Sequence, residues 1–244
     1  MRTRSTRGAI LAAAALSIAA VVAVGAGPAD AVSTRRTGST ASPSPEVGAT
    51  LRADYKFRGS RRSPSPAAPD LRDVGPGANT FVTENVDGVN RTVLRFPEGN
   101  GLQLPEAQRL LPRNRYTIAV KLRLDDTTSY NRVVDLTRGE SDEGLYVHNE
   151  MLNFYPAPDP YIYTIDTDEW VNVVLTRSRA GRLRGYVDAE LQFDVTDPEL
   201  GLLSQRNTLR FFRDNNREES SGAVSRIRLF DNSMLPEQVL GLGT

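Results

Sequence analysis

The sequence predicts an all-β sandwich with one short helix near its C-terminal end. Three observations carry that expectation. Tyr116, Ile118, Val120, Leu122 and Leu124 alternate with Thr117, Lys121 and Arg123, and a period of two belongs to a strand with one face on a core. Glu169 to Val195 reads as three strands joined by two tight turns, an antiparallel meander. The chain as a whole yields roughly thirteen short strands at spacings of about 8–12 residues, which fits a sandwich or a barrel. No internal repeat of about 20–50 residues is visible, against propellers and solenoids.

Taken in order, residues 1–31 read as a secretory signal peptide. Arg2, Arg4 and Arg7 precede the apolar run Ala9 to Val24, and Ala29-Asp30-Ala31 offers an A-x-A cleavage site. The run is short for a bilayer span of about 20 residues. The expectation is therefore an extracellular protein with no membrane partner after cleavage, free or associated with the cell surface. Residues 32–48 are rich in Ser, Thr and Pro with almost no apolar content, and read as a disordered linker. Residues 49–244 are then the folded domain.

Within it, Leu51, Ala53, Tyr55 and Phe57 alternate with Arg52, Asp54, Lys56 and Arg58 as a half-buried strand. The Ser/Pro/Arg stretch at 60–70 reads as an exposed loop. Strands at Thr80–Asn85 and Thr92–Phe96 flank Val86-Asp87-Gly88-Val89, a hairpin turn because Asp-Gly accepts positive φ. After Leu102–Leu104 and Tyr116–Leu124 come Val133–Thr137, Gly144–His148, Met151–Tyr155 and Tyr161–Ile165. Pro156, Pro158 and Pro160 mark an irregular loop among them. In the meander, Trp170 leads Val171, Val173 and Leu175 as a core plug. Leu183–Val187 runs back, and Leu191, Phe193 and Val195 make the third strand. Thr208–Phe212 and Val224–Phe230 complete the strands. Ser233 to Leu240 is the helix, with Asn232 or Ser233 as its cap, Pro236 near its first turn and Gly241 at its end.

Composition narrows the function. The chain has no cysteine, which excludes disulfides, thiol catalysis and Cys-based zinc sites. A domain of roughly 200 residues can stand on its core alone. Residues 1–48 hold five Arg and two acids, so 49–244 carries 25 basic and 28 acidic groups, a net of −3. That weakly acidic balance is not the footprint of a nucleic-acid binder.

The order YTIAVKLRL, GLYV, WVNVVLTR, GYVD, LRFFRDN and GAVSRIRLFD before LPEQV resembles the laminin-G-like, concanavalin A-like lectin/glucanase jelly rolls, over about 49–242. The resemblance implies a two-sheet antiparallel jelly-roll sandwich of six or seven strands per sheet. It also places the first strand near Ala53 beside the last near Arg228. Ala189 departs from it, since such domains usually carry Gly in the Tyr-Val-Asp-Gly turn. Ala disfavours positive φ, so a turn of another type is expected there.

Glycoside hydrolases on this fold need two carboxylates on one strand face, and the usual Glu-x-Asp-x-x-Glu run is missing. Asp159, Asp166, Asp168 and Glu169 read as solvated acids. His148 is the one histidine, has no G-x-S-x-G elbow with it, and reads as a surface turn. No catalytic residue is assigned. The resemblance implies Ca2+ held by loops at one rim, and calcium takes six to eight oxygens. Asp142, Asp214, Asn215 and Asn216 are the candidate ligands, and the same residues suit an ordinary polar turn. No cofactor is required. Tyr130, Tyr155, Tyr161 and Tyr163 are candidate platforms for a sugar. The expected function is a secreted, non-catalytic recognition module for a glycan or an extracellular protein. A polysaccharide-active hydrolase or lyase, and a structural cell-envelope protein, are the alternatives.

Overall fold

The computed structural model describes residues 48–158, 162, 164–214 and 220–242. Fourteen strands lie among them. In chain order they are β1 (Leu51–Tyr55), β2 (Arg72–Val74), β3 (Thr80–Val86), β4 (Val89–Phe96), β5 (Gly101–Pro105), β6 (Tyr116–Leu124) and β7 (Asn131–Asp135). Then follow β8 (Gly144–His148), β9 (Met151–Tyr155), β10 (Val171–Arg177), β11 (Arg182–Val187), β12 (Glu190–Thr196), β13 (Thr208–Phe211) and β14 (Gly222–Phe230), before the helix α1 (Pro236–Leu240).

Every pairing is antiparallel. The larger sheet has eight strands, in the order β12-β11-β10-β6-β14-β4-β3, with β1 also on β14. The smaller has six, in the order β2-β5-β13-β7-β8-β9. The core lies between the sheets. Ile118, Val120, Leu122, Val173 and Leu175 enter it from the larger sheet, and Leu104, Val134, Leu145, Leu152 and Phe154 from the smaller. Each side chain of this size contributes about 1.5–3 kcal/mol by leaving water. The chain is thus a two-sheet jelly-roll sandwich. Its larger sheet exceeds the expected six or seven strands because β1 and β4 share one flank of β14. The first strand lies beside the last, with Ala53 opposite Leu229 and Asp54 opposite Arg228. Just outside that pair, the Thr50 N–H donates to Asp231 and the Asp231 N–H donates back to Thr50.

Several local expectations need correction. Leu51 is exposed, because a register shift between Leu51 and Ala53 breaks the alternation. The strand expected at Tyr161–Ile165 does not form over its described residues. The N–H groups of Thr164 and Ile165 both donate to Glu150 O, which wraps them on a hairpin rather than into a ladder. Neither Asn232 nor Ser233 caps α1. Leu235 precedes it, with its N–H on Gln238 Oε1. The Thr117 hydroxyl donates to Asn232 O and accepts the Met234 N–H, which ties 232–234 to β6 instead.

Trp170 is not a core plug. It sits ahead of β10, half-buried on the outer face of the larger sheet against Val82, Val86, Val93 and Ala223. Strand pleating explains this: Val171, Val173 and Leu175 take the inward positions, so their neighbour Trp170 must face out. The β11–β12 turn is also not of another type. Asp188 and Ala189 hold φ of 45° and 71°, the left-handed pair of a two-residue hairpin. The Asn172 N–H on Asp188 Oδ1 and the Asp188 N–H on Asn172 O pin it, and Ala189 packs against the cluster around Tyr186. Left-handed backbone costs a residue with a Cβ about 1–2 kcal/mol. Ala189→Gly is therefore expected to raise stability, by about 1 kcal/mol after the lost methyl contact. Urea unfolding checks this, and a lower midpoint with unchanged slope would contradict the strain argument.

Candidate functional site

The larger sheet makes a cleft where β14 changes partners. β14 pairs with β4 only through Gly222–Val224, and with β1 from Ile227 onward. Its register against β6 shifts between those segments, at Val224/Arg226. The rest of β4, Val89 to Val93, pairs with β3 alone. A cleft of about 660 Å3 lies on the outer face at this gap, within the size range of small-ligand sites. Its floor is a cross-strand row, Asn172 opposite Lys121 opposite Arg226, with Ser225 and Arg228 beside it. The β3–β4 hairpin supplies one wall with Asp87, Asn90, Arg91 and Thr92, and Lys56, Arg58, Asp188 and Leu242 complete the rim.

Charge in the cleft is only partly neutralised. Lys121 pairs with Asp87 at 2.8 Å. Arg226 grips Asp54 through two hydrogen bonds, of 2.8 and 3.0 Å, and Lys56 adds a contact at 3.3 Å. Burial acts to raise the Asp54 carboxyl, but these cations outweigh it and hold the group below its ordinary range. Arg228 donates to Leu242 O at 2.6 Å. Burial, and then the like charge of Arg226, push Arg228 down to about 10. Arg58 and Arg91 are exposed and have no carboxylate partner among the described residues.

Those residues singled out by sequence that the structure describes lie elsewhere, at the smaller sheet. Leu145 and Val147 face the core, so Tyr146 and His148 face out. Tyr130 stacks on His148 at 3.6 Å between ring centroids and meets Tyr146 edge-on at 5.9 Å. His148 is thus half of a ring stack rather than a bare surface turn. Tyr155 is opposite Gly144, four residues along β8 from His148, or about 13 Å. Tyr130 and Tyr155 share the face without touching one patch. Tyr161 and Tyr163 lie outside the described residues.

Asp142 and Asp214 do come together, on the Arg132 guanidinium. Arg132 is 2.7 Å from Asp214, 3.5 Å from Asp135 and 3.9 Å from Asp142. It also donates to the Tyr146 hydroxyl and lies over that ring, 4.6 Å from its centroid. Burial raises the Asp135 carboxyl, against the charge of Arg132 and hydrogen bonds from Thr137. A calcium ion here would have to share Asp214 with a buried guanidinium. Among the described residues, no group of three or more His, Cys, Asp or Glu is placed to hold a metal. Asn215 and Asn216 lie outside the described residues.

Residues 96–240, more than half of the chain, match the family described as the concanavalin A-like lectin/glucanases superfamily. The chain belongs to that superfamily. Among solved structures, this concanavalin A-like domain is similar to domain 4 of AbnA, an extracellular GH43 arabinanase from Geobacillus stearothermophilus solved with arabinotriose. The two share 15% identity and a TM-score of 0.64, over 81% of this chain and 100% of that one. It is also similar to the binding domain of botulinum neurotoxin serotype G, at 10% identity and a TM-score of 0.58, over 80% of this chain and 50% of that one. The binding domain of Paraclostridial Mosquitocidal Protein 1 matches at 10% identity and 0.57, over 79% and 51%. The chain thus spans about half the length of the toxin-type domains it matches. No curated protein matches it.

For this concanavalin A-like domain, sequence reasoning missed the cleft altogether. Its lining comes from residues 56, 58, 86, 87, 89–92, 121, 172, 188, 225, 226, 228 and 242, and no local motif joins them. One signal was available: Lys121 falls on the outward parity of Tyr116–Leu124, and Arg226 and Arg228 alternate with the apolar Ile227 and Leu229 in the expected last strand.

Proposed function

We propose that this domain is a non-catalytic recognition module that binds a glycan in the cleft on its larger sheet. The cleft itself carries the reading: a preformed hollow of about 660 Å3 whose lining combines Asn90, Thr92, Asn172 and Ser225 with charged groups. Sugar hydroxyls need such paired donors and acceptors at fixed positions. The arabinotriose on domain 4 of the arabinanase, and the binding role of the toxin domains, support the reading by likeness of fold. The proposal places this recognition outside the cell, on the strength of the signal-like residues 1–31. Of the two carboxylates lining the cleft, Asp87 is engaged by Lys121 and Asp188 by the Asn172 N–H. That arrangement favours binding over hydrolysis.

A glycan array with the full chain tests this. The expected result is a defined set of hits that Ser225→Trp removes, because the indole fills the hollow. Uniform silence sinks the proposal. A second reading rests on Tyr130, an exposed ring held parallel to His148. If the smaller sheet binds the sugar, Tyr130→Ala abolishes the hits and Ser225→Trp spares them.

Calcium is not a requirement in this proposal, because Arg132 already supplies the cation that Asp214 faces. Thermal unfolding with EDTA and with saturating calcium is expected to give one midpoint. A native-state ligand must raise apparent stability, so a midpoint that climbs with calcium would restore the metal.

A further inference from the structure

We propose that the sugar chain taken by this cleft is acidic, bearing carboxylate or sulfate groups that meet Arg58, Arg91 and Arg228. This rests on the glycan reading above and names the class of ligand. Six cations line the cleft: Lys56, Arg58, Arg91, Lys121, Arg226 and Arg228. Among the described residues, only Asp87 and Asp188 oppose them in the lining. The hollow is therefore positive on a domain that carries a net charge of −3.

The pairing pattern sharpens this. Asp87 is used by Lys121, and Asp54, beneath the floor, by Arg226 and Lys56. Asp188 is used by a backbone N–H. Among the described residues, Arg58 and Arg91 have no carboxylate partner, and Arg228 feels only Asp54, whose oxygens Arg226 and Lys56 already hold. Arg228 stands beside Arg226 and is partly buried, a position in which an anion gains most because little water competes for it. Guanidinium groups also match the planar and tetrahedral oxygens of carboxylate and sulfate.

A polynucleotide fits less well. Asp87 and Asp188 can accept hydrogen bonds from sugar hydroxyls, groups that a DNA backbone does not offer. No aromatic ring lines the cleft among the described residues, so bases have no platform. Neutral donors and acceptors between the cations suit a chain in which hydroxyls alternate with acidic groups.

Calorimetry on the full chain tests this with four probes: a polygalacturonate oligosaccharide, a heparin oligosaccharide, a neutral arabinan oligosaccharide and single-stranded DNA. The expected result is binding of the carboxylated or the sulfated sugar, weakened by salt. Arg58→Glu and Arg91→Glu are each expected to weaken it about tenfold, the worth of one hydrogen bond to a charged group. Both residues are exposed, so the fold should survive. If the neutral oligosaccharide binds as well and the two variants are silent, the acidic class is wrong while the glycan reading stands. DNA binding of equal strength makes the cleft a general polyanion surface and overturns the sugar assignment. Binding of none of the four overturns both.

Discussion

Replacing Arg177 with Met is expected to cost about 3–5 kcal/mol of folding free energy, among the largest effects of any single change in this domain. Arg177 ends β10 and is 1% exposed. Its guanidinium donates to Leu200 O and Pro198 O at 2.6 Å each, and also to Asn114 O and Ser178 O. Those carbonyls belong to three loops, outside the strand ladders that would otherwise satisfy them. Tyr116, opposite Arg177 in β6, donates to Gly201 O at 2.6 Å, and Glu143 accepts the Gly201 N–H. One end of the sandwich is thus tied by a hub of side chain to backbone bonds. Met fills much of the volume but leaves the carbonyls dry and unpaired, at about 1–3 kcal/mol each. Denaturant unfolding measures the loss. Arg179→Met, in the exposed turn two residues on, should stay within about 0.5 kcal/mol. Equal effects at the two positions would show that the hub carries nothing.

Arg132→Met should cost a similar amount, about 3–5 kcal/mol, for a different reason. Arg132, Asp135 and Asp214 have fully buried side chains. Removing the cation leaves carboxylates inside without it. The deficit should therefore depend on pH. Burial already raises Asp135 above its ordinary value, and without Arg132 it rises further. A carboxyl whose folded-state value is raised binds its proton more tightly when folded, so stability returns as pH falls through that value. The gap between wild type and Arg132→Met is expected to be widest near neutrality and to narrow towards the ordinary carboxylate range. A gap independent of pH would mean that lost packing on Tyr146, not charge, explains the defect.

The parts of this fold that could be read from sequence are those that local periodicity decides. Tyr116–Leu124, the Asp87-Gly88 hairpin and the meander from 169 to 195 all follow from alternation and turn chemistry. The likeness of strand order then placed the first strand, near Ala53, beside the last, near Arg228. Elsewhere the tertiary structure overrides the local preference. Trp170 reads as a core plug because it leads a strongly apolar strand, although the parity that puts Val171 and Val173 in the core puts Trp170 outside. Ala189 was denied a left-handed conformation on its own propensity, whereas Asp188 and the β10 backbone enforce it. Arg132 stands just ahead of the strand expected at Val133–Thr137 and Arg177 opens the turn expected to end at Gly181, so both look like ordinary polar residues, and only the tertiary fold reveals what converges on them. The cleft was illegible for the same reason, since it comes from seven separate stretches and from the way β14 changes neighbours.

That exchange of neighbours has a thermodynamic consequence. Asn172, Lys121 and Arg226 stand on three adjacent strands whose ladders fix their spacing before any ligand arrives. A bound molecule would have to immobilise chiefly Arg58 and Arg91, at about 0.5–1.5 kcal/mol for each side chain. The remaining contacts demand no rearrangement of the backbone. Association should accordingly be fast and single-phased, and weakened variants should differ from the parent mainly in how quickly they let go.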